Sequence, residues 1–393
     1  VNGKDAATSP VMHRGEAGVP LSADLHGATE FELIVTDAGD NINSDQASWA
    51  EAAITLADDN TIRIGDMPIK EYRRRPYSPE LPFSFNYGGE AFQDVVKDWT
   101  LERSEKTLDE SRVEKDITLT EPKTGLVVRC VAVEYKDFPT VEWTLHFKNT
   151  GKADTPILSE IQALDTRFER NGSEEFLLHH WNGTYVNRSD YEPHETTLKA
   201  GESKAFTPRG GRPCASEFPY YNLAWRHEGI IAAIGWPGQW KAEFARDGAM
   251  SVRVGAGQEL THFKLTPGEE VRSPLIVLQF WKGDVTRAQN VWRRWMFAHN
   301  IPRRNGALPP PQMPAVSGNQ FPGLLCNEAD EIRYIDRFEE EGIKITHWWM
   351  DAGWYINKGD WVSVGTWQID TSRFPRGIRA VADHAHAKGL KLI

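Results

Sequence analysis

From about residue 66 to residue 300 apolar and polar side chains alternate with a period of two, and this texture limits the fold more than any other feature. The alternation is clear in Leu126 to Val133 and in Val141 to Asn149, where Val141, Trp143, Leu145 and Phe147 fall on one face. Gly, Asn and Pro punctuate it at short intervals, as in Lys148-Asn149-Thr150-Gly151-Lys152 and Thr266-Pro267-Gly268-Glu269. That cadence predicts a large antiparallel β-sandwich. A chain of 393 residues has room for two or three domains, so the two flanks are read separately.

After Trp281 the period changes. Asp284 is a good helix N-cap, and Ala288, Val291, Trp292, Trp295 and Met296 follow at helical spacing. A stiff Pro309-Pro310-Pro311 run then marks a boundary. Beyond it β and α alternate: a strand near Met313 to Ser317, a helix from about Asn327 to Glu341, a strand ending at Asp351, and a helix from about Gly377 to Lys388. The last helix puts Ile378, Val381, Ala382 and Ala385 on one stripe and stops at Gly389. Leu390 to Ile393 then reads as the start of a third parallel strand. Two βα units and part of a third cannot close an eight-stranded barrel, so the expectation is a piece of a longer polypeptide.

Within this half, Ile343 to Met350 is almost unbrokenly apolar and aromatic, as expected of a parallel strand buried on both faces. The run ends on a carboxylate, Asp351, and opens after Gly353 into a loop bearing Trp354, Tyr355, Trp361 and Trp367. A carboxylate at the tip of a parallel strand, followed by aromatic rings, suits a polar ring-shaped ligand such as a sugar. Its hydroxyls need charged hydrogen-bond partners and its C–H faces need flat apolar surfaces. Two readings stand for Asp351, a sugar contact or a cap for its own loop, and two for Trp354, sugar contact or loop packing. His347 and Trp349 share the strand parity of Asp351 and read as packing residues. Most of the 15 tryptophans are assigned to cores and the rest to stacking on carbohydrate.

Composition removes other classes. A net charge of -11 argues against a nucleic-acid surface or an anionic-membrane anchor. Cys130, Cys214 and Cys326 form neither a disulfide framework nor a zinc spacing. Asp37, Asp40, Asn41, Asn43 and Asp45 alternate like a calcium loop, but counting from Asn41 the sixth and twelfth positions are Gln46 and Ala52, so turn chemistry is the reading. His179 and His180 are adjacent on a strand and point to opposite faces, which disfavours a shared metal. Arg212 and Glu217 sit in a Gly/Pro-rich loop, either solvated or reaching a neighbouring site. No cofactor is implied. Sequons stand at Asn171, Asn182 and Asn187; no run of 18 apolar residues occurs, and the first residue is Val1, so a removed leader stays open. An extracellular or periplasmic location is favoured.

Two resemblances sharpen this. The segment FELIVTDAGDNINSDQASWAEAAITL, through VTDAGD, Asn41-Ile42-Asn43, Asp45 and Trp49-Ala50-Glu51-Ala52, resembles the end of an NPCBM-type carbohydrate-binding module, a β-sandwich carried by glycoside hydrolases. The segments MDAGWY, VGTW and RFPRGIRAVADHAHAKGLKLI resemble the barrel region of family-36 glycoside hydrolases, the melibiase-type α-galactosidases. The preceding β texture, from FSFNYGGEAF to LTHFKLTPGEEVRSPLIVLQF, agrees with that family's sandwich. The implied organisation is an NPCBM-like sandwich fragment at 1–64, the family-36 sandwich at 66–300, a Pro-rich linker at 301–312, and the first βα units of a (β/α)8 TIM barrel at 313–393.

What the second resemblance implies for the site is specific. The family carries D-D-G-W at the second barrel strand, whose carboxylates bind sugar hydroxyls; here Asp351 matches the first and Ala352 replaces the second. The family's later G-D-W stands as Gly365-Thr366-Trp367. Asn319 and Phe321 follow the first barrel strand, where the family has groups near the sugar. Substrate binding is therefore assigned to Asp351, Trp354, Asn319 and Trp367. No catalytic residue is assigned, because the family's nucleophile and acid lie on later strands, beyond residue 393, and this piece alone is expected to be inactive. The expected activity is a retaining two-carboxylate hydrolysis of terminal α-galactosides, with α-N-acetylgalactosaminides or non-catalytic glycan binding on the same scaffold as alternatives. The expected partner is an oligosaccharide or glycoconjugate, with homo-oligomerisation compatible with the family.

Overall fold

The computed structural model describes residues 1, 5–11, 17–28, 31, 33, 52–58, 60–63, 81–170, 175–247, 250–317 and 323–393. Val1–Leu81 and Pro82–Ile393 are separate units. In the first, the described regular structure is one antiparallel hairpin, Ala53–Thr55 with Thr61–Arg63. Val11 lies in irregular chain, and the alternating Asp/Asn run from Asp37 to Asp45 falls outside the described residues.

The second unit is dominated by antiparallel sheet. A ten-stranded sheet runs Pro193–Leu198, Phe176–Trp181, Tyr220–Trp225, Glu228–Gly235, Leu275–Lys282, Thr140–Asn149, Leu126–Tyr135, Arg112–Thr120 and Thr100–Thr107, with Glu270–Arg272 also paired to Thr140–Asn149. A four-stranded sheet of Leu164–Glu169, Ser251–Gln258, Trp240–Arg246 and Ser203–Phe206 packs on it, and Tyr221 of the large sheet meets Phe206 and Phe244 of the small one at ring separations of 4.9 and 5.1 Å. A third sheet, built on Leu158–Gln162 and Ser84–Tyr87, closes the other end, where Phe85 stands edge-on to Phe147 at 5.3 Å. The alternation read from the sequence is realised here: Trp143, Leu145 and Phe147 are buried while Thr144 and His146 between them are less so. Each such fully buried side chain contributes about 1.5–3 kcal/mol of transfer free energy. The sheet ends are fixed by polar groups that are themselves paired. Asp165, for example, takes both forks of Arg253 at 2.7 Å and the Ser84 hydroxyl at 2.5 Å.

Helices are few. A single turn, α1 (Phe92–Val95), precedes the sheet, and α2 (Val285–Trp295) follows it. The Asp284 side chain accepts from Arg287 N at 2.7 Å, the expected N-cap, and Ala288, Val291 and Trp295 face the sheet. Two more helices, α3 (Glu328–Glu340) and α4 (Arg379–Ala387), alternate with three short parallel strands: Pro314–Val316, His347–Trp349 and Lys391–Leu392. Asn327 caps α3 through Asp330 N at 3.0 Å. Ala315, Trp348 and Leu392 share one register row and pack against the helices, where Trp348 Nε1 donates to the buried Glu331 at 2.6 Å.

The expectation of a strand buried on both faces needs correction. Trp348 is buried, but Trp349, its neighbour on the opposite face, is 48% exposed, with Val316 and Ile393 exposed in the adjacent strands. The two helices cover the Trp348 face; on the opposite face His347 is buried and Trp349 is not. The strand is also shorter than the apolar run: pairing proper spans His347–Trp349, although Met350 N still bonds Ile393 O at 2.9 Å.

Candidate functional site

Asp351 stands where the middle parallel strand lets go of its neighbours. It is half-buried, and one carboxylate oxygen accepts the backbone N–H of Ala352 at 2.8 Å. The other oxygen has no hydrogen-bond partner among the described residues. The chain then turns back sharply, with Gly353 N on Asp351 O at 2.7 Å. Glycine is required here by space: a Cβ at 353 would come within 2.6 Å of Cys326 Sγ and 2.8 Å of Gly323 O. The close approach seats the Asp351 turn on the segment before α3.

The loop that follows is an ordered aromatic platform. Trp354, half-buried against the core under α3 and α4, lies 4.9 Å from the Tyr355 ring and 5.8 Å from Trp367; Tyr355 and Trp367 are 5.7 Å apart. Trp367 is 74% exposed and adopts φ 55°, a left-handed conformation unusual for a large side chain. Gly365 at φ 99° precedes it, and the Thr366 hydroxyl donates to Ile356 O at 3.0 Å. Thr366 thus ties the loop to itself where the resemblance expected a carboxylate. Trp361 projects elsewhere on the loop and is exposed.

Arg373 holds this platform in place. Its guanidinium donates to the carbonyl oxygens of Cys326 at 2.6 Å, Tyr355 at 2.8 Å and Leu324 at 3.3 Å, and also to that of Gly353. Its Nε pairs with Asp370 at 2.9 Å. The Ser372 hydroxyl and then Arg373 hold the Asp370 carboxyl down at about 2, so it stays ionised under the fork. Sequence reasoning missed Arg373; its signal was an arginine placed directly after the aromatic loop and before Phe374-Pro375.

Of the four residues assigned to substrate binding, Trp354 and Trp367 meet at 5.8 Å and Asp351 stands at the strand tip three residues before Trp354, while Asn319, like Phe321, lies outside the described residues. His347 is buried and bonds the Thr346 hydroxyl through Nδ1 at 2.8 Å, a structural role. His179 and His180 do point to opposite faces: His179 pairs with Glu195 at 3.3 Å, and His180 is buried against Thr196 at 3.1 Å. Glu217 bridges to Asn182 within the sandwich loops, and burial raises its carboxyl above the usual range. Among the described residues no group of three or more His, Cys, Asp or Glu is arranged to hold a metal, and no helix is long and apolar enough to cross a membrane.

Comparison with known proteins adds three findings. Residues 1–55 match the NPCBM/NEW2 domain. In sequence, the chain is 24% identical over 162 residues to an α-galactosidase of Lactobacillus acidophilus, covering 40% of this chain and 22% of that protein. It is 37% identical over 84 residues to the α-N-acetylgalactosaminidase of Gallus gallus, covering 20% of this chain and 19% of that one. In structure, it shares the fold of the family-36 α-galactosidase AgaA of Geobacillus stearothermophilus with a TM-score of 0.62 at 16% identity, over 81% of this chain and 45% of that one. The α-galactosidase of Lactobacillus brevis gives 0.61 at 14% identity, over 81% and 44%. The chain therefore spans about a fifth of the curated relatives and under half of these structures.

Proposed function

We propose that this chain is the front portion of a retaining glycoside hydrolase acting on terminal α-galactosides. In this reading 1–64 is a glycan-holding module, 66–300 the family-36 sandwich, 301–312 a linker, and 313–393 the first βα units of a (β/α)8 barrel. The sugar lies over the open end of the His347–Trp349 strand. The unpartnered oxygen of Asp351 accepts a hydroxyl proton, Trp354 and Trp367 receive the C–H face of the ring, and Asn319 adds a polar contact. A nucleophile and an acid about 5–5.5 Å apart, both from barrel strands beyond residue 393, cleave the bond with retention. The single observation carrying this reading is the half-buried Asp351, one oxygen of which has no partner among the described residues, held at a strand tip beside a stapled aromatic loop.

An α-N-acetylgalactosaminidase is the second reading, supported by Ala352, which leaves no second carboxylate at the strand tip, and by the 37% match to such an enzyme. Incubating the full-length protein separately with nitrophenyl α-galactoside and with its N-acetylated analogue separates the two by which substrate releases nitrophenol. Release from neither, together with unaltered natural α-galactosyl oligosaccharides, would leave a glycan-binding protein on a hydrolase scaffold.

A further inference from the structure

A second cleft, of about 700 Å³, lies on the sandwich between α2 and the ends of the Glu228–Gly235 and Leu275–Lys282 strands. Its floor is the ring of Phe280, 46% exposed, beside Trp281 and Gly229. Gly229 keeps that floor flat, since a Cβ there would fall within 2.6 Å of the Trp281 indole. One rim is the Phe138-Pro139 turn, pinned by Phe280 N to Pro139 O at 2.8 Å. The other rim is the stripe Arg287, Val291 and Arg294 of α2, spaced i, i+4 and i+7 on one helix face.

The charges in this cleft do not cancel. Its two acids are already engaged: Asp137 with His299 at 2.9 Å, and Glu228 with Trp225 Nε1 at 3.1 Å and Lys282 at 4.0 Å. Arg287 donates Nε to the Lys282 carbonyl at 3.2 Å, and among the described residues neither its terminal nitrogens nor the Arg294 guanidinium has a partner. The lining sets Arg287, Arg294 and Lys282 against Asp137 and Glu228, one positive charge in excess, a local reversal of sign in a chain of net charge -11. Two turns of helix place them about 10 Å apart along the axis, farther than a single carboxylate reaches. Planar guanidinium forks recognise carboxylate or sulfate, and the exposed Phe280 ring in the same cleft matches the C–H face of a pyranose.

We infer that this cleft binds an acidic oligosaccharide, with anionic groups of separate sugar units on Arg287 and Arg294 and a ring seated on Phe280. The assignment goes beyond the activity ascribed to the Asp351 loop and uses none of its residues. The test is calorimetric titration of the full-length protein with trigalacturonic acid, with a sulfated galactan trisaccharide, and with neutral galactotriose. At least one acidic ligand binds about tenfold more tightly than the neutral one and weakens as salt is raised. Whichever acidic arm binds identifies the anionic group. Arg294→Ala and Phe280→Ala, both exposed positions, each lower that affinity about tenfold while leaving the circular dichroism spectrum unchanged. Asp351→Asn leaves it unaltered, which separates this cleft from the hydrolytic site. Equal affinity for the neutral trisaccharide, no acidic binding up to about 10 mM, or wild-type affinity in the two cleft variants would overturn the inference.

Discussion

Arg373 donates a hydrogen bond to the carbonyl oxygen of Tyr355 at 2.8 Å, reaching back 18 residues to close the aromatic loop on its own base. The same guanidinium also takes the carbonyls of Cys326, Leu324 and Gly353, so one side chain joins the turn after Asp351, the aromatic platform and the segment entering α3. A lysine ammonium has no planar fork and cannot serve these oxygens together. Arg373→Lys and Arg373→Ala are both expected to destabilise by about 2–4 kcal/mol, since buried carbonyls lose their donors. Urea unfolding measures the loss. Limited proteolysis between Trp354 and Asp370 should accelerate in both variants, and unchanged cleavage would show that the loop is held otherwise.

Gly353→Ala should cost about 1–3 kcal/mol by forcing a Cβ into Cys326 Sγ and Gly323 O. Because Gly323 O is backbone, adding Cys326→Ala restores only part of the loss. Thermal unfolding of the single and double variants checks both statements.

Trp367→Ala separates packing from recognition. The side chain is largely exposed, so stability should change by less than about 0.5 kcal/mol. In the full-length enzyme KM should rise about tenfold if the indole carries a sugar face. Asp351→Asn, which keeps the shape but removes the charge, should lower kcat/KM by about a hundredfold. Wild-type kinetics in both variants would remove this loop from the substrate site.

A pH dependence follows from His180. Burial, then Lys204, stacked His194 and neighbouring His179 depress its pKa from 6.5 to about 4, so the folded protein holds it neutral. Between those values the unfolded chain takes up the proton more readily than the native state. Its contribution is intact above pH 6.5 and falls away as pH drops towards 4, by about 3 kcal/mol in all. Unfolding free energies for wild type and His180→Gln, measured across this window, should converge as pH falls. A constant difference would mean that His180 does not titrate between the two states.

The local pattern of the chain is enough to establish its elements. Strand alternation from Leu126 to Asn149, the Asp284 cap, the helix starting near Asn327, and the β and α alternation after the prolines depend on neighbours within a few residues, and the structure realises them. The turn at Gly353 and the aromatic loop are likewise visible as a string. Tertiary structure alone decided what lies far apart in the chain. Gln279 meets Thr140 across 139 residues at 2.8 Å, Arg373 meets Cys326 O across 47, and Phe280 meets α2 and the Phe138-Pro139 turn to form a cleft. It also decided that Trp348 is covered and Trp349 is not, because two adjacent aromatic residues of one strand point to opposite faces and only helix packing determines which face is closed. Periodicity reports the repeat of a local conformation. Which surfaces meet, and which guanidinium finds a carbonyl, depends on the path of the whole backbone.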